Sequence, residues 1–247
     1  MLTQPELTIV IPAKNEARTL PRLLTSLSRQ DYPLLPHTRV YVADANSTDS
    51  TVAVAAGFAD RLRISVIAGG LPAVGRNRGA RLATTPYVLF IDADIEFDDD
   101  HLLRRAVATM QRRRLHCLTT NIHCTGGALA DRLLFAGSNL VQRIASWGQP
   151  FATGMFMLFD REKFNQLGGF DERALYAEDY LLSKQVSLRR FGILRGHVLT
   201  SNRRFQKMGH MKIARMFLST ALHTFDRTYF FRDQDYWTEV DSGTQAS

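Results

Sequence analysis

The chain has 247 residues, 45% of them hydrophobic, which suits one α/β domain with a real core, as in folded soluble proteins. Lys and Arg outnumber Asp and Glu, 31 to 24, and the net charge of +7 favours anionic partners: nucleic acid, acidic lipid or phosphorylated ligands. No apolar run reaches the roughly eighteen residues of a bilayer-spanning helix, no basic region precedes a hydrophobic stretch at the start, and two cysteines make no disulfide framework. Cys117 and Cys124 would face opposite sides of a strand and read as reduced thiols of a cytoplasmic protein.

The first half alternates strand and helix patterns. "LTIVIPA" is a strand, and "NEARTLPRLLTSLSRQ" follows with Leu20, Leu23, Leu24 and Leu27 at helical spacing. Asn15 or Thr19 could cap that helix, and Pro21 suits a first turn. "RVYVAD" is a strand, "ANSTDSTVAVAAGFA" a turn and helix, and "ISVIA" a third strand. "GRNRGARLAT" is a helix, "PYVLFIDAD" a fourth strand, and "HLLRRAVATMQRRR" a helix with Leu102, Leu103, Ala106, Val107 and Met110 on one face. Such alternation predicts a mostly parallel sheet covered by helices, with ligands at the carboxyl ends of its strands.

The second half is less regular. "CLTTNIHC", "TGMFMLFD" and "HVLTS" read as strands. "ALADRLLFAGSNLVQRIASW", "EDYLLSKQVSLRRFG" and "MKIARMFLSTALHTFDRTYFF" read as helices, and the residues after Asp233 as a polar tail. The expectation is one domain over 1–232, with halves at about 1–115 and 116–232 and a tail over 233–247.

Three of the strands end in polar clusters: Lys14-Asn15-Glu16, Asp44 to Asp49, and Asp92-Ala93-Asp94. Helix capping accounts for such residues singly. It does not account for Asp92 beside Asp94, because like charges this close call for a cation. Oxygen ligands with no cysteine or ordered histidine spacing suit Mg2+ or Mn2+, which complete their shells with phosphate. A nucleoside diphosphate is the ligand that follows. Asp98, Asp99 and Asp100 read as charges at the next helix start.

On these stretches the chain resembles the family 2 glycosyltransferases, whose nucleotide-binding fold is GT-A. The resemblance covers about 200 residues, from Leu7 to about Gly209, and rests on five motifs in order. They are "TIVIPAKNE", "VADANSTDST", "GRNRGARLATTPYVLFIDAD", "FNQLGGFDE" and "YAEDYLL". "QVSLRRFG" lacks the Q-x-x-R-W of processive synthases such as cellulose or chitin synthase, which points away from polymer synthesis.

The resemblance implies an inverting, non-processive enzyme of GT-A fold: a single Rossmann-like α/β domain with an amphipathic helical C-terminal region. It implies that Pro12, Ala13, Glu16 and Asp44 hold the nucleoside, Asp44 through the base. Arg76 lies beside base or phosphate, Asp92 at the ribose or the metal, and Asp94 on the metal. Asp179 is the base, with Glu178 beside it. Arg203 and Arg204 form a pair able to grip a diphosphate through forked hydrogen bonds. His197 and His210 stay open as further metal ligands, and Gly168, Gly169 and Asp171 shape the acceptor loop. The donor reads as UDP-linked, and the cofactor as Mn2+ or Mg2+.

Other classes fare worse. A dinucleotide-dependent oxidoreductase needs G-x-G-x-x-G where this chain has "PAKNE". Nucleic-acid binding has charge in its favour and no recognition module. A non-catalytic nucleotide-sugar-binding or membrane-associated scaffold protein stays as the alternative. The acceptor is a hydroxyl compound, with a lipid or lipid-linked one left open. Residues 128–147 and 211–231 form amphipathic, arginine-bearing helices with two readings. They either pack on the sheet and each other, or rest on an anionic membrane at its inner face.

Overall fold

The run Leu7–Ala13 is apolar on both faces, which sends it to the middle of a sheet. As β1, it turns Leu7, Ile9 and Ile11 toward one helical layer and Val10 toward the other. A computed structural model of the chain describes residues 6–126, 128–203, 208–223 and 226–232. The other strands are β2 (Arg39–Asp44), β3 (Arg63–Ala68), β4 (Tyr87–Phe90), β5 (Ile95–Glu96), β6 (Cys117–Thr125), β7 (Met157–Asp160) and β8 (Phe191–Ser201). They form one eight-stranded sheet in the order β3-β2-β1-β4-β7-β6-β8-β5. Pairing is parallel from β3 to β4 and antiparallel where β7 lies between β4 and β6. β6 and β8 are parallel, and β5 closes the far edge antiparallel to β8.

The helices are α1 (Leu20–Ser28), α2 (Thr51–Ala56), α3 (Pro72–Leu82), α4 (Leu102–Arg113), α5 (Leu129–Ala145), α6 (Arg161–Gln166), α7 (Glu178–Ser183) and α8 (His210–Leu222). The leucine stripe of α1 and the apolar face of α4 are fully buried in one core layer with Ile9, Ile11 and Leu89. On the other face Ala73 and Ala80 of α3, Phe164 of α6 and Leu182 of α7 pack with Val10 and Phe90. Gly79 makes the closest approach in that layer: a Cβ there would lie 2.4 Å from Val10 Cγ1, so only glycine lets α3 sit this near β1.

Several sequence expectations shift. β4 stops at Phe90, so Asp92 and Asp94 lie in the turn beyond it, and the short strand β5 follows directly. The expected helix from Glu178 to Gly192 ends at Ser183. A 3-10 turn at Leu188–Arg190 and the strand β8 take over, because parallel pairing with β6 captures residues from Phe191 onward. The last helix ends at Leu222, and Arg227–Phe231 forms a separate 3-10 turn capped by Asp226. Thr19 stands at the α1 N-cap position without capping it; its hydroxyl bonds Glu16 instead. Of the expected helix-start charges, Asp99 accepts from the His101 N–H at 2.9 Å, while Asp98 pairs with His197.

Candidate active site

The carboxyl ends of β1, β2 and β4 stand side by side, since Ala13 pairs with Asp44 and Val10 with Phe90. The loops leaving β1 and β2 are laced together. The N–H groups of Asn15, Glu16 and Ala17 donate to Ser47 Oγ (2.9 Å), Thr51 Oγ1 (2.8 Å) and Asp49 Oδ2 (3.1 Å). Thr48 N–H returns a bond of 2.8 Å to Asn15 Oδ1. Asn15 and Asn46 take left-handed backbone, φ 54° and 57°, a conformation asparagine tolerates better than most residues. Burial pushes the Asp49 carboxyl up, but hydrogen bonds from Thr51 and Ala17 outweigh it and hold the group below its ordinary value.

Asp44 ends β2 with its two oxygens in different situations. Oδ2 accepts from Ser47 N–H at 3.0 Å. Oδ1 is buried with no hydrogen-bond partner. A buried acceptor in that state costs free energy until a donor arrives. Pro12 and Ala13 line the strand end beside it.

Arg76, in α3, is 2% exposed, which excludes a solvated helix residue. Its guanidinium donates to Asp92 Oδ1 at 2.6 Å and to Glu178 Oε1, and lies 5.3 Å from the Phe170 ring centroid. Burial works against the charge, but Asp92, Glu178 and the nearby Asp179 hold the guanidinium proton more tightly than usual. Arg76 thus ties the turn after β4 to the start of α7, 102 residues away in sequence. Gly154 makes room for it: a Cβ there would lie 2.2 Å from Arg76 Nη2.

The start of α7 is set by Ala177, held in left-handed backbone at φ 55°. Such a conformation costs on the order of 1–3 kcal/mol and is over-determined by its surroundings. Asp179 is half-buried, with Oδ2 accepting from Gly154 N–H at 2.6 Å and Oδ1 from Tyr180 N–H at 2.7 Å. Burial, then repulsion from Glu178, pushes its carboxyl up to about 6, against the pull of Arg76 and of the two N–H bonds. Ser183 pins the same loop by accepting from Ala152 N–H at 2.9 Å. Asn77 fixes the neighbouring loop, bonding both the N–H and the C=O of Phe170.

Arg203, just past β8, reaches Glu16 Oε1 at 2.6 Å and lies 3.9 Å from Asp94 Oδ2. Arg204 lies outside the described residues. Both histidines considered for a metal have carboxylate partners: His197 with Asp98 at 2.7 Å and His210 with Asp131 at 2.6 Å. His197 also stacks on His123 at 3.9 Å. Among the described residues no three His, Cys, Asp or Glu side chains gather as a metal cage. The donor set fits a cation of another kind. Asp92 pairs with Arg76, Asp94 follows two residues later, and among the described residues the ion pairs of the cleft hold more carboxylates than guanidiniums. An anionic ligand there calls for added positive charge, and Mg2+ or Mn2+ completed by phosphate oxygens meets that need with few protein ligands.

Gly154, Asn77 and Ser183 escape a sequence reading. Each works through contacts with distant segments, and no local spacing announces them.

Residues 8–168 match the model of glycosyl transferase family 2. Validoxylamine A glucosyltransferase of Streptomyces hygroscopicus is 41% identical over 95 residues, 37% of this chain and 22% of that protein. A PGL/p-HBAD biosynthesis glycosyltransferase of Mycobacterium bovis is 32% identical over 149 residues, 54% of this chain and 56% of that one. The matches thus span about a fifth to about a half of the relatives' own lengths. The mannosyltransferase PcManGT of Pyrobaculum calidifontis, solved with GDP-Man and Mn2+, superposes with a TM-score of 0.66 at 18% identity, covering 100% of this chain and 77% of that one. S. aureus TarS 1-349 with UDP-GlcNAc superposes at 0.64 and 19%, covering 79% and 58%. At those identities the likeness is one of fold.

Proposed function

The chain belongs to glycosyl transferase family 2, and from that premise we propose that it moves a sugar from a nucleoside-diphosphate donor, UDP-linked, to a hydroxyl acceptor with inversion. The observation that carries the reading is Asp179: a carboxylate at a helix start, raised to about 6, with its lone pairs oriented by the N–H groups of Gly154 and Tyr180. An acceptor hydroxyl is a weak nucleophile near neutral pH. As its oxygen bonds to the anomeric carbon, its proton passes to Asp179, and the electron pair of the breaking C–O bond leaves with the diphosphate. A positioned base contributes typically 100-fold or more (~100–10,000-fold) to such a step.

The other residues bind and orient. Asp44 Oδ1, buried and unsatisfied, accepts a nucleobase N–H, with Pro12 and Ala13 beside it. Glu16 holds Arg203 at the diphosphate end of the cleft. Arg76 works through its carboxylates: it holds Asp92 and Glu178 in place, so that donor and acceptor sides keep one geometry. Asp94 and Asp92 would hold Mn2+ or Mg2+, which would supply positive charge for the departing diphosphate.

The test is the pH dependence of transfer at saturating substrates, with donor hydrolysis as readout where no acceptor is in hand. Asp179 must be ionised to act, so the rate is lost as pH falls through about 6, roughly tenfold per unit, and is level above that value. A flat profile between pH 5 and pH 8 would sink Asp179 as base (the interval is about one unit below and two above its titration). The metal reading has its own test in calorimetry. Asp94→Ala is expected to keep its melting temperature and to lose most of the Mn2+-dependent part of UDP or GDP affinity. Equal nucleotide affinity with and without Mn2+ in the unsubstituted protein would remove the metal from the reading.

A further inference from the structure

Helix α5 is built inside out. Its inward face is largely polar. Asp131 is buried and accepts from Asn202 Nδ2 at 2.9 Å while pairing with His210. Asn139 brackets the backbone of Ile122, accepting from its N–H at 3.0 Å and donating to its C=O at 2.8 Å. Gln142 is buried as well. Among the described residues Leu134 and Phe135 add apolar packing, against Met208, Ile213 and Met216 around α8, and Phe135 also against the main core layer.

The outward face is apolar. Leu129, Leu133, Leu140, Val141, Ile144 and, just past the helix, Trp147 are between 57% and 87% exposed. Their spacing of four, seven, four and three residues keeps Leu129, Leu133, Leu140, Ile144 and Trp147 in one stripe, about 25 Å long for seventeen residues. Arg132 and Arg143 run along one edge of that stripe, exposed, and neither is in an ion pair among the described residues. Met211, 77% exposed, and the exposed Arg215 extend the same mixture onto α8. A water-facing helix has the opposite polarity, and a stripe of this size on a monomer marks an interaction surface.

We propose that the outer face of α5, with the first turns of α8, seats this protein on the surface of an anionic lipid bilayer. The apolar stripe enters the acyl boundary, Trp147 sits at headgroup level, and Arg132, Arg143 and Arg215 meet lipid phosphates. A second copy of the chain fits less well in antiparallel pairing, which brings the arginine edges of the two faces together. The proposal stands independently of the reaction proposed above.

The experiment is co-sedimentation of the whole chain with vesicles of phosphatidylcholine alone or mixed with phosphatidylglycerol. The expected result is pelleting with the mixed vesicles, release by salt, and little binding to the neutral ones. Leu140→Glu/Ile144→Glu is expected to weaken association about tenfold or more with an unchanged melting temperature, because both side chains face outward. Arg132→Glu/Arg143→Glu is expected to abolish the preference for the anionic vesicles. Wild-type protein staying in the supernatant, or the glutamate pair pelleting like wild type, would overturn the proposal. A melting temperature lowered by several degrees in the glutamate pair would overturn it too, by showing that protein covers the stripe. So would a wild-type dimer that the same pair turns into a monomer.

Discussion

Asp179→Asn is expected to lower sugar transfer by roughly 100-fold or more, about 3 kcal/mol of lost transition-state stabilisation, with donor affinity retained. The amide keeps size and an oxygen for the N–H groups of Gly154 and Tyr180, yet cannot take a proton. The measurement is transfer with donor binding recorded in parallel. The same variant separates base from structural brace through its stability. Asp179 titrates at about 6 in the folded chain against an ordinary value of 3.8. A raised carboxylate binds protons more tightly when folded, so it opposes folding increasingly as pH rises from about 4 to 6, and fully above that. Asparagine removes that opposition, so at pH near 8 the variant should melt at the same temperature or higher. A variant that melts lower, or that transfers at near wild-type rate, would shift attention to Glu178 or Asp171 as the proton acceptor.

Arg76→Met is expected to cost about 3–5 kcal/mol of stability, the usual consequence of removing one partner from a buried ionic cluster. Methionine fills much of the space, so the loss is electrostatic: Asp92 and Glu178 are left without their common cation. Urea unfolding should show a lower midpoint with an unchanged slope. The loss should also be larger at pH 8 than at pH 5. Arg76 pulls the Asp179 carboxyl down, so without it that carboxyl rises further above its ordinary value, and a raised carboxyl opposes folding more as pH rises. Adding Asp92→Asn and Glu178→Gln to Arg76→Met should restore most of the stability, because the two carboxylates that had bonded the guanidinium are then uncharged. A single Arg76→Met variant as stable as wild type would remove Arg76 as the bridge between the two sides of the cleft.

Much of the fold was legible in the residues. The stripe of Leu20, Leu23, Leu24 and Leu27 is an i, i+3, i+4, i+7 pattern, and all four are fully buried. β1, β2 and β4 read as apolar runs bounded by polar turns, since helices cover their half-sheet, while β3 at the edge stays largely exposed. The grouping of carboxylates at strand ends was legible for the same local reason: parallel strands separated by helices place their carboxyl ends on one edge. Misread boundaries fall where pairing overrides local preference, as at β8, which claims residues that read as helix.

By itself, the sequence determined the alternation of strands and helices, the family motifs and the edge of the sheet where the acids collect. All of these depend on neighbours in the chain. The tertiary structure decided what depends on distant ones. Arg76 could be read as a surface residue until Asp92 and Glu178 were seen to close on it, and Gly154 had no local signal for the space it leaves. For α5, periodicity defined an apolar stripe but not the side on which it lies, because amphipathicity has the same period whether the stripe meets the core or faces away. Asp131, Asn139 and Gln142 settled that by finding their places inside.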